Sequence, residues 1–319
     1  MENVRGRKIS ASAVFRDYGA FIAFLALFTV NTAITSNFLQ MRTVWNILTQ
    51  SSTTILLALG MTLVIATGGI NISVGPVMAL SAMIAAKFIA TGQPVLGLGL
   101  GLGCALFFGW LTGYTVIKFK IQSMIVSLSM MFVLRGLAKL LNDGRILSYK
   151  SKAFTDFFYR ELFGFLPMRT FIWLALAVLL WVLLSKTRYG VYVEAYGDNP
   201  EATRISGINV VAVITSVYVI CNAFACTAGY IEAGYSTTVD PANMGLTKEM
   251  DAIAATVVGG TSISGGKPHV WGTVFGALVL QLITIMVNMN NVPVSYARIL
   301  KAAIIIFAIY AQQASGRKN

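Results

Sequence analysis

Charged residues are scarce in this sequence. Asp, Glu, Lys and Arg make up only 11% of the 319 residues, whereas 56% are hydrophobic. This composition is typical of a membrane protein and not of one or two soluble domains. Because a membrane-spanning helix needs about 20 apolar residues, ten spans would use roughly 200 residues and leave only loops and tails. The composition therefore excludes a soluble nucleotide-binding domain within this chain.

Histidine is nearly absent, and so are acidic residues within the apolar runs. His269 is the only histidine, which leaves almost nothing for a histidine metal site or a Ser-His-Asp triad. Of the twelve acidic residues, only Glu232 and Asp251 lie close to an apolar run, so a proton or sodium relay has no obvious residues. Unwound backbone carbonyls could still bind sodium. We expect no metal site and no catalytic residues.

Cysteine is also rare and lies where it indicates no chemistry. Cys104, Cys221 and Cys226 fall inside apolar runs, where a thiol behaves as a small hydrophobic group, so neither a disulfide framework nor a metal site is indicated. The net charge of +12 is the ordinary result of basic residues beside anionic lipid headgroups. We therefore expect the lipid bilayer, and no nucleic acid, as a partner.

A phosphate-binding loop is missing as well. The pattern that ends at Lys267 would need glycine at position 261 and Ser or Thr at position 268, but the chain has Thr261 and Pro268 there. No strand precedes it either. If ATP drives this protein, another subunit binds the ATP and its magnesium.

Apolar runs predict an all-α polytopic membrane protein, a single domain over residues 1–319 with about ten transmembrane helices. The predicted spans are 18–36, 52–67, 74–91, 95–117, 122–141, 170–186, 210–231, 249–263, 270–288 and 296–313. Basic residues before the first run place a cytoplasmic tail at 1–17, and an even number of spans places both termini in the cytoplasm. Residues 142–169 are then a periplasmic loop and 186–209 a cytoplasmic loop. The basic residues of 142–169 do not fit the positive-inside rule, although its aromatic stretch suits the outer membrane surface.

The stretch from Ser185 to Val210 is a polar island between two apolar runs, and it predicts a short, well-capped helix. Asn and Pro suit the first positions of a helix, an acid and a base suit its two ends, and a glycine can end it. Such a helix has little to bury against in its own chain, so we expect it either to connect the spans or to dock on a partner. The residues of this predicted docking helix are Asn199, Pro200, Glu201, Ala202, Arg204 and Gly207.

A short motif, Gly-Gly-x-x-Ile-Ser-x-Gly, occurs at residues 68–75 and again at 259–266, each time between two predicted spans. The repeat predicts two related halves with a translocation path at their interface, a recurring plan in transporters. Both copies would form turns on the cytoplasmic side. The predicted gate and turn residues are Gly68, Gly69, Asn71, Ser73, Gly75, Gly259, Gly260, Thr261, Ser262, Ser264, Gly265 and Gly266.

Uncharged polar residues inside the apolar runs are candidates for the lining of a path. As a set they suit a neutral polyhydroxylated solute, which needs hydrogen-bond donors and acceptors but no opposite charge. For any one of them a hydrogen bond between helices is an alternative role. The candidates are Gln50, Ser51, Thr54, Asn222, Gln281 and Asn288.

Three long motifs, at residues 60–75, 196–209 and 251–266, together resemble the ribose, xylose and galactoside branch of bacterial ABC importer permeases. The resemblance extends from about Phe38 to Ala311. It implies a ten-span permease in the bacterial inner membrane that pairs with a second, identical or different, permease subunit. It also implies a periplasmic sugar-binding protein and a cytoplasmic ATPase, often a tandem two-domain chain, which would hold the ATP and magnesium. This chain would need no cofactor of its own.

The resemblance also assigns roles and shows two departures. Residues 199–207 match the coupling helix that docks in a groove of the ATPase, and the two Gly-Gly motifs match turns near the cytoplasmic mouth. Asn71 stands where the family usually has Asp, which puts a required charge at that turn in doubt. Asp198 stands where Gly is common and adds a carboxylate beside the docking helix. An ion-coupled secondary sugar transporter is the alternative interpretation.

Overall fold

The computed structural model describes residues 11–35, 38–162 and 164–290, followed by 293, 295–297, 299–304 and 306. It is mainly α-helical. The helices are α1 (Ala11–Ile34), α2 (Met41–Gln50), α3 (Ser52–Ala66), α4 (Val74–Ala90), α5 (Pro94–Phe119), α6 (Ser123–Leu140), α7 (Lys152–Tyr159), α8 (Met168–Lys186), α9 (Arg188–Asp198), α10 (Pro200–Ile205), α11 (Val210–Ser236), α12 (Lys248–Val258) and α13 (Val270–Met289).

In the part of the chain that the structure describes, four two-residue strands make up two small antiparallel pairs. The strands are β1 (Leu147–Ser148), β2 (Glu161–Leu162), β3 (Leu166–Pro167) and β4 (Thr238–Val239). β1 pairs with β4, with Leu147 opposite Val239, and β2 pairs with β3. The β1–β4 pair joins the segment before α7 to the chain that follows α11, and the β2–β3 pair forms a hairpin between α7 and α8.

Helix length and hydropathy confirm the all-α membrane architecture. Among the described residues, α5, α6, α8, α11 and α13 are long and apolar enough to cross a bilayer, and α2 with α3 would form a sixth span bent by 43°. The part of α1 from Gly19 to Ile34 and all of α4 are apolar but shorter. The predicted number of about ten spans is therefore not confirmed.

Two predicted spans do not correspond to a long helix among the described residues. The span predicted at 249–263 corresponds to α12, which has only 11 residues. At 1.5 Å per residue α12 is about 16 Å long, roughly half the thickness of the hydrocarbon core, so it does not cross a bilayer alone. Much of the span predicted at 296–313 lies outside the described residues, as do residues 1–10 of the predicted tail, while α1 already begins at Ala11.

The helical bundle has two opposite ends. α8 and α11 both run between them, with lengths of 19 and 27 residues. One end carries α7 and the four strands and is called the α7 end. The other carries α9 and α10 and is called the α10 end. The predicted periplasmic loop 142–169 and the predicted cytoplasmic loop 186–209 thus lie at opposite ends of the bundle.

Glycines on one face of α5 let it pack directly against the backbone of its neighbours. A Cβ added at Gly109 would lie 2.8 Å from the Tyr218 carbonyl oxygen, and one at Gly113 would lie 2.7 Å from the Thr215 Cα, both on α11. Small residues at such positions allow the close helix contacts found in membrane bundles. A Cβ added at Gly99 or Gly103, which also belong to α5, would have no neighbour within 4 Å.

Helix α3 forms the centre of the bundle, because every residue from Ser52 to Ala66 is buried. It packs against α8, α11, α12 and α13. Hydroxyl groups link it to two of these neighbours. Thr62 shares a hydrogen bond of 2.8 Å with Thr273 of α13, and the Thr256 hydroxyl of α12 donates to the Ala58 carbonyl oxygen. α3 therefore fixes the positions of α12 and α13, which flank the second Gly-Gly motif.

Candidate functional site

Helix α10 has the capping interactions that the sequence predicts. The Asn199 side chain accepts a hydrogen bond of 3.0 Å from the Ala202 N–H, and Pro200 is the first helical residue. Gly207 has a φ of +81°, a left-handed conformation that suits glycine just beyond a helix end. Thr203 is the buried residue of the helix. The remaining residues of α10 leave most of its surface free.

The free surface of α10 carries one exposed ion pair. The Arg204 guanidinium donates to the Glu201 carboxylate at 2.6 Å, and the two side chains are 69% and 66% exposed. This hydrogen bond holds the pKa of Glu201 below its ordinary value, so the carboxylate stays charged near neutral pH. An exposed pair of this kind adds little to stability. It does present a fixed pattern of one negative and one positive charge.

The end of α9 brings all three predicted motifs together. Gly197 lies against the end of α3 and the second Gly-Gly turn so closely that an added Cβ would overlap the Ala66 carbonyl oxygen and the Gly266 nitrogen. The Gly266 N–H in turn donates to the Ala66 carbonyl oxygen at 2.9 Å. A Cβ at Gly265 would lie 2.7 Å from the Gly197 carbonyl oxygen. We call this contact the glycine junction: Gly197, Ala66, Gly265 and Gly266.

Gly197 lies in the motif at residues 196–209, and the sequence alone predicts no role for it. A glycine just before the predicted cap Asn199 is the signal that could have indicated close backbone approach. Asp198, the departure noted in the sequence, places its Oδ1 2.9 Å from where a Cβ of Gly266 would lie. The extra carboxylate therefore sits beside the second turn and not on the exposed face of α10.

α3 and α12 end in the same way at the two Gly-Gly motifs, but the equivalent residues are shifted by one position between the two motifs. In the first, Gly68 has a φ of +71° and the Gly69 N–H donates to the Val64 carbonyl oxygen. In the second, Gly260 has a φ of +95° and the Thr261 N–H donates to the Thr256 carbonyl oxygen. Gly68 is thus equivalent to Gly260, not to Gly259 as the sequence repeat has it. The repeat marks similar helix ends, and the relation of two whole halves stays a prediction.

Gly75 does not lie with the other predicted gate residues. It is inside α4, where an added Cβ would overlap the Gly245 carbonyl oxygen and lie 2.8 Å from the Glu249 carboxylate. Gly245 lies in the segment between β4 and α12, and Glu249 lies in the first turn of α12, on the side of the α7 end. Gly75 is therefore a helical residue and not part of the turn predicted near the cytoplasmic mouth, because the chain enters the bundle after Gly68, before α4 begins.

Asn71 and Ser73, also predicted at the turn, are fully buried within the bundle. The Asn71 side-chain oxygen accepts hydrogen bonds from the Ser73 N–H at 3.1 Å and from the Ser73 hydroxyl at 2.7 Å. Its NH₂ group donates to the Asn222 side-chain oxygen at 3.1 Å, and Asn222 donates to the Ala105 carbonyl oxygen at 3.3 Å. The side chain at position 71 must therefore supply both a hydrogen-bond acceptor and a hydrogen-bond donor.

Three of the predicted path residues cannot contact a solute in this structure. Asn222 and Ser51 are fully buried and Thr54 is 4% exposed. The Ser51 hydroxyl donates to the Ile47 carbonyl oxygen at 2.6 Å, and Thr54 accepts a hydrogen bond of 3.5 Å from Lys248. These side chains join helices within the chain, which was the alternative role considered for them. That these side chains line a path stays a prediction, and in this structure they have the packing role.

The remaining path candidates lie on the surface of the chain. The Gln281 side chain of α13 donates to the Gln50 side chain of α2 at 3.2 Å, and Gln50 and Asn288 are exposed.

The loop of the second motif is held by Thr261, whose buried hydroxyl accepts from the His269 N–H at 3.0 Å. Within the described residues, no group of three or more His, Cys, Asp or Glu side chains is arranged to hold a metal ion.

The buried amide pair gives a testable prediction. Asn71→Asp replaces the NH₂ group by an oxygen that faces the Asn222 oxygen in a fully buried site, so we expect it to lower the free energy of unfolding by at least about 1–3 kcal/mol. Thermal unfolding of the detergent-purified protein measures the effect. Asn288→Asp, at an exposed position, is the matched control. Equal melting temperatures for the two variants would contradict the assignment.

Comparison with known proteins agrees with the motif resemblance. The family described as "Branched-chain amino acid transport system / permease component" matches residues 43–309. The chain is 37% identical to the Ribose import permease protein RbsC of Escherichia coli (strain K12), over 97% of each chain. It is 35% identical to the Galactofuranose transporter permease protein YtfT of the same strain, over 84% of this chain and 78% of the relative.

A third relative, the Galactose/methyl galactoside import permease protein MglC of Salmonella typhimurium (strain LT2), is 31% identical over 92% of this chain and 93% of its own length. No solved structure matches the chain. The prediction of a permease subunit, made from three motifs, is confirmed. Because the family match covers residues 43–309 and the relatives match nearly the whole length, the chain belongs to this family of permease components and is a transport subunit, not an enzyme.

Proposed function

We propose that this chain is the transmembrane subunit of an ATP-driven importer for a monosaccharide or a similar neutral polar solute. The names of its relatives, which are import permeases for ribose, galactofuranose and galactose or methyl galactoside, support the solute class. The scarcity of ionisable residues within the spans supports an energy source outside the chain, because ion-coupled transporters keep such residues in the membrane. ATP and magnesium would be bound by a partner ATPase.

The observation that carries the proposal is the glycine junction. α10 presents an exposed charged face. Two residues before its cap, Gly197 contacts the end of α3 and the second Gly-Gly turn through backbone atoms. No flexible side chain lies between these backbones, so a displacement of α9 and α10 would be passed directly to α3 and to the loop before α13. A partner that moves α10 can therefore move two regions of the bundle at once.

A second set of contacts extends this coupling into the bundle. The Ile70 N–H donates to the Ser123 hydroxyl at 3.0 Å, and the Ser127 hydroxyl donates to the Ile70 carbonyl oxygen at 3.2 Å. The segment after the first turn is thus fastened to α6. Motion of the first turn would be carried to α6 as well as to α3.

The proposed assembly follows the family resemblance. The α10 end would face the cytoplasm and dock on the ATPase, a tandem two-domain chain in many relatives of this branch. The α7 end would face a periplasmic sugar-binding protein. A second permease subunit, identical or different, would complete the path, and both termini would be cytoplasmic in the bacterial inner membrane. The transport cycle would be alternating access, in which the loaded binding protein and ATP favour opposite states of the path.

Reconstitution separates this proposal from an ion-coupled secondary sugar transporter. Proteoliposomes that hold this chain alone, with an ion gradient and labelled D-ribose, D-xylose or D-galactose, are expected to take up no sugar. Adding the ATPase, the loaded binding protein and ATP is expected to give uptake. Uptake by the chain alone under the ion gradient would reject the ATP-driven mechanism.

A further inference from the structure

A polar cavity of about 250 Å³ lies at the α7 end of the bundle, apart from the glycine junction. α4, α11 and the segment from β4 to the start of α12 form its walls. Its polar lining residues are Glu232, Ser236, Thr238, Asp240, Asn243 and Lys248. In a chain with only 11% charged residues, two carboxylates and an ammonium group around one small cavity are a marked concentration of polar groups.

The lining groups offer both donors and acceptors. Burial raises the pKa of Asp240, but hydrogen bonds from the Asn243 side chain and the Ala242 N–H outweigh it, so the net pKa is lowered and the carboxylate is charged at neutral pH. Glu232 on α11 adds a second carboxylate, and Lys248 adds a donor that also reaches Thr54. Sugar hydroxyls both donate and accept hydrogen bonds, so this mixture suits a neutral polyol.

The size of the cavity restricts the ligand. Pockets for drug-sized molecules occupy about 300–1,000 Å³, so a cavity of about 250 Å³ suits a smaller molecule, such as a single sugar ring. A second cavity, near α5 and α11, is lined mainly by apolar groups, including Trp110 and Val219, and offers a polyol few hydrogen bonds.

The wall shared with α4 also closes the cavity toward the interior of the bundle. Gly245 lines the cavity, and its backbone is packed against Gly75, so that a Cβ at Gly245 would lie 2.5 Å from the Gly75 carbonyl oxygen. Gly75 follows the first Gly-Gly turn by only a few residues. The wall of the cavity is therefore continuous with the segment that the glycine junction would move.

We propose that this cavity is the entrance subsite for the transported sugar, closed on its inner side by the Gly75–Gly245 contact in this structure. The proposal rests on the proposed sugar-import function. Glu232 and Asp240 would accept hydrogen bonds from sugar hydroxyls and Lys248 would donate one. Separation of Gly75 from Gly245, driven through the first turn, would open the way inward.

Thiol protection tests the subsite without relying on transport. Thr238→Cys places a thiol in the cavity lining, and Ser151→Cys, on the same end of the bundle but outside the cavity, is the matched control. In the assembled transporter, saturating sugar is expected to slow labelling of Cys at position 238 by a water-soluble thiol reagent at least threefold, and not at position 151. The native cysteines give the background, which is measured in the unsubstituted chain. Equal labelling rates with and without sugar would overturn the subsite.

Transport supplies the second test. Glu232→Gln is expected to lower the maximal rate of sugar uptake at least fivefold while the loaded binding protein still stimulates ATP hydrolysis. Glu161→Gln, at an exposed position on the same end, is expected to keep both activities. Loss of the stimulation in Glu232→Gln would indicate docking of the binding protein at this surface and would overturn the proposal. So would unchanged uptake.

The wild-type complex separates failure of the proposed function from failure of the subsite. It is assayed with D-ribose, D-xylose and D-galactose, and the sugar it transports fastest is used in both tests. If none is taken up, the proposed function fails and the subsite fails with it. If the wild type transports sugar and the variants behave like their controls, only the subsite is rejected.

Discussion

Gly197→Ala is expected to lower ATP-driven uptake at least tenfold, although it adds only a methyl group. The added Cβ would overlap the Ala66 carbonyl oxygen and the Gly266 nitrogen, which are joined by a hydrogen bond of 2.9 Å. Both are backbone atoms, so no side chain can rotate away to make room. The end of α9 must therefore move away from Ala66 and Gly266, and α10, which follows α9 directly, would no longer be coupled to the two turns.

Gly136→Ala is the matched control for this experiment. Gly136 is an exposed glycine within α6 with no neighbour within 4 Å, and Ala favours the helix by roughly 1 kcal/mol over Gly. Uptake per molecule and ATP hydrolysis are measured on complexes of equal amount in the membrane. The expected signature of Gly197→Ala is ATP hydrolysis that persists while uptake is lost. Normal uptake per molecule, with only a lower amount of protein, would indicate a folding role and contradict the coupling role.

The site was predictable from sequence where the signals are local. The caps of α10 depend on residue types at consecutive positions, Asn199, Pro200 and Gly207, and the structure has them as predicted. The span predicted at 52–67 ends close to the end of α3 at Ala66, but the span predicted at 249–263 runs past the end of α12 at Val258. The contact of Gly197 with Gly266 was not predictable, because it joins residues far apart in the chain through atoms that every residue possesses.

The errors have a common physical cause. Motif matching assumes that identical residues in two copies of a motif have the same conformation and position. In the first Gly-Gly pair, however, the first glycine, Gly68, has the left-handed conformation, whereas in the second pair it is the second glycine, Gly260. After Gly68 the chain enters the bundle and α4 begins at Val74, whereas after Gly260 it stays in a loop until Val270. The matching Gly75 and Gly266 therefore lie in different parts of the protein.

Polar residues inside the apolar runs could not be sorted by sequence into lining and packing roles. Asn222 and Gln281 are both amides within predicted spans, yet Asn222 is fully buried with its partners in the same chain. Gln281 instead pairs with exposed Gln50 at the surface of the chain. The difference depends on which side of each helix meets α3 and α5, a matter of packing between helices.

Reversing the charges of α10 is the second prediction with a large expected effect. Glu201→Lys or Arg204→Glu is expected to abolish uptake and to weaken co-purification of the ATPase, while the chain still inserts into the membrane. Each change breaks the exposed pair of 2.6 Å and leaves two like charges on one face. Because an exposed pair contributes little to stability, loss of function in these variants would indicate loss of a partner contact.

The double variant Glu201→Arg with Arg204→Glu shows whether function needs only an ion pair within α10 or needs each charge at its own position on the exposed face. It restores opposite charges three residues apart, so the pair can form again, but the positions of the negative and positive charges on the exposed face are exchanged. If the ATPase contacts these charges, the double variant is expected to stay inactive and to co-purify poorly. If it regains normal uptake and ATPase binding, the charges serve only to hold α10 together, and the docking surface must be sought among the uncharged residues of that helix.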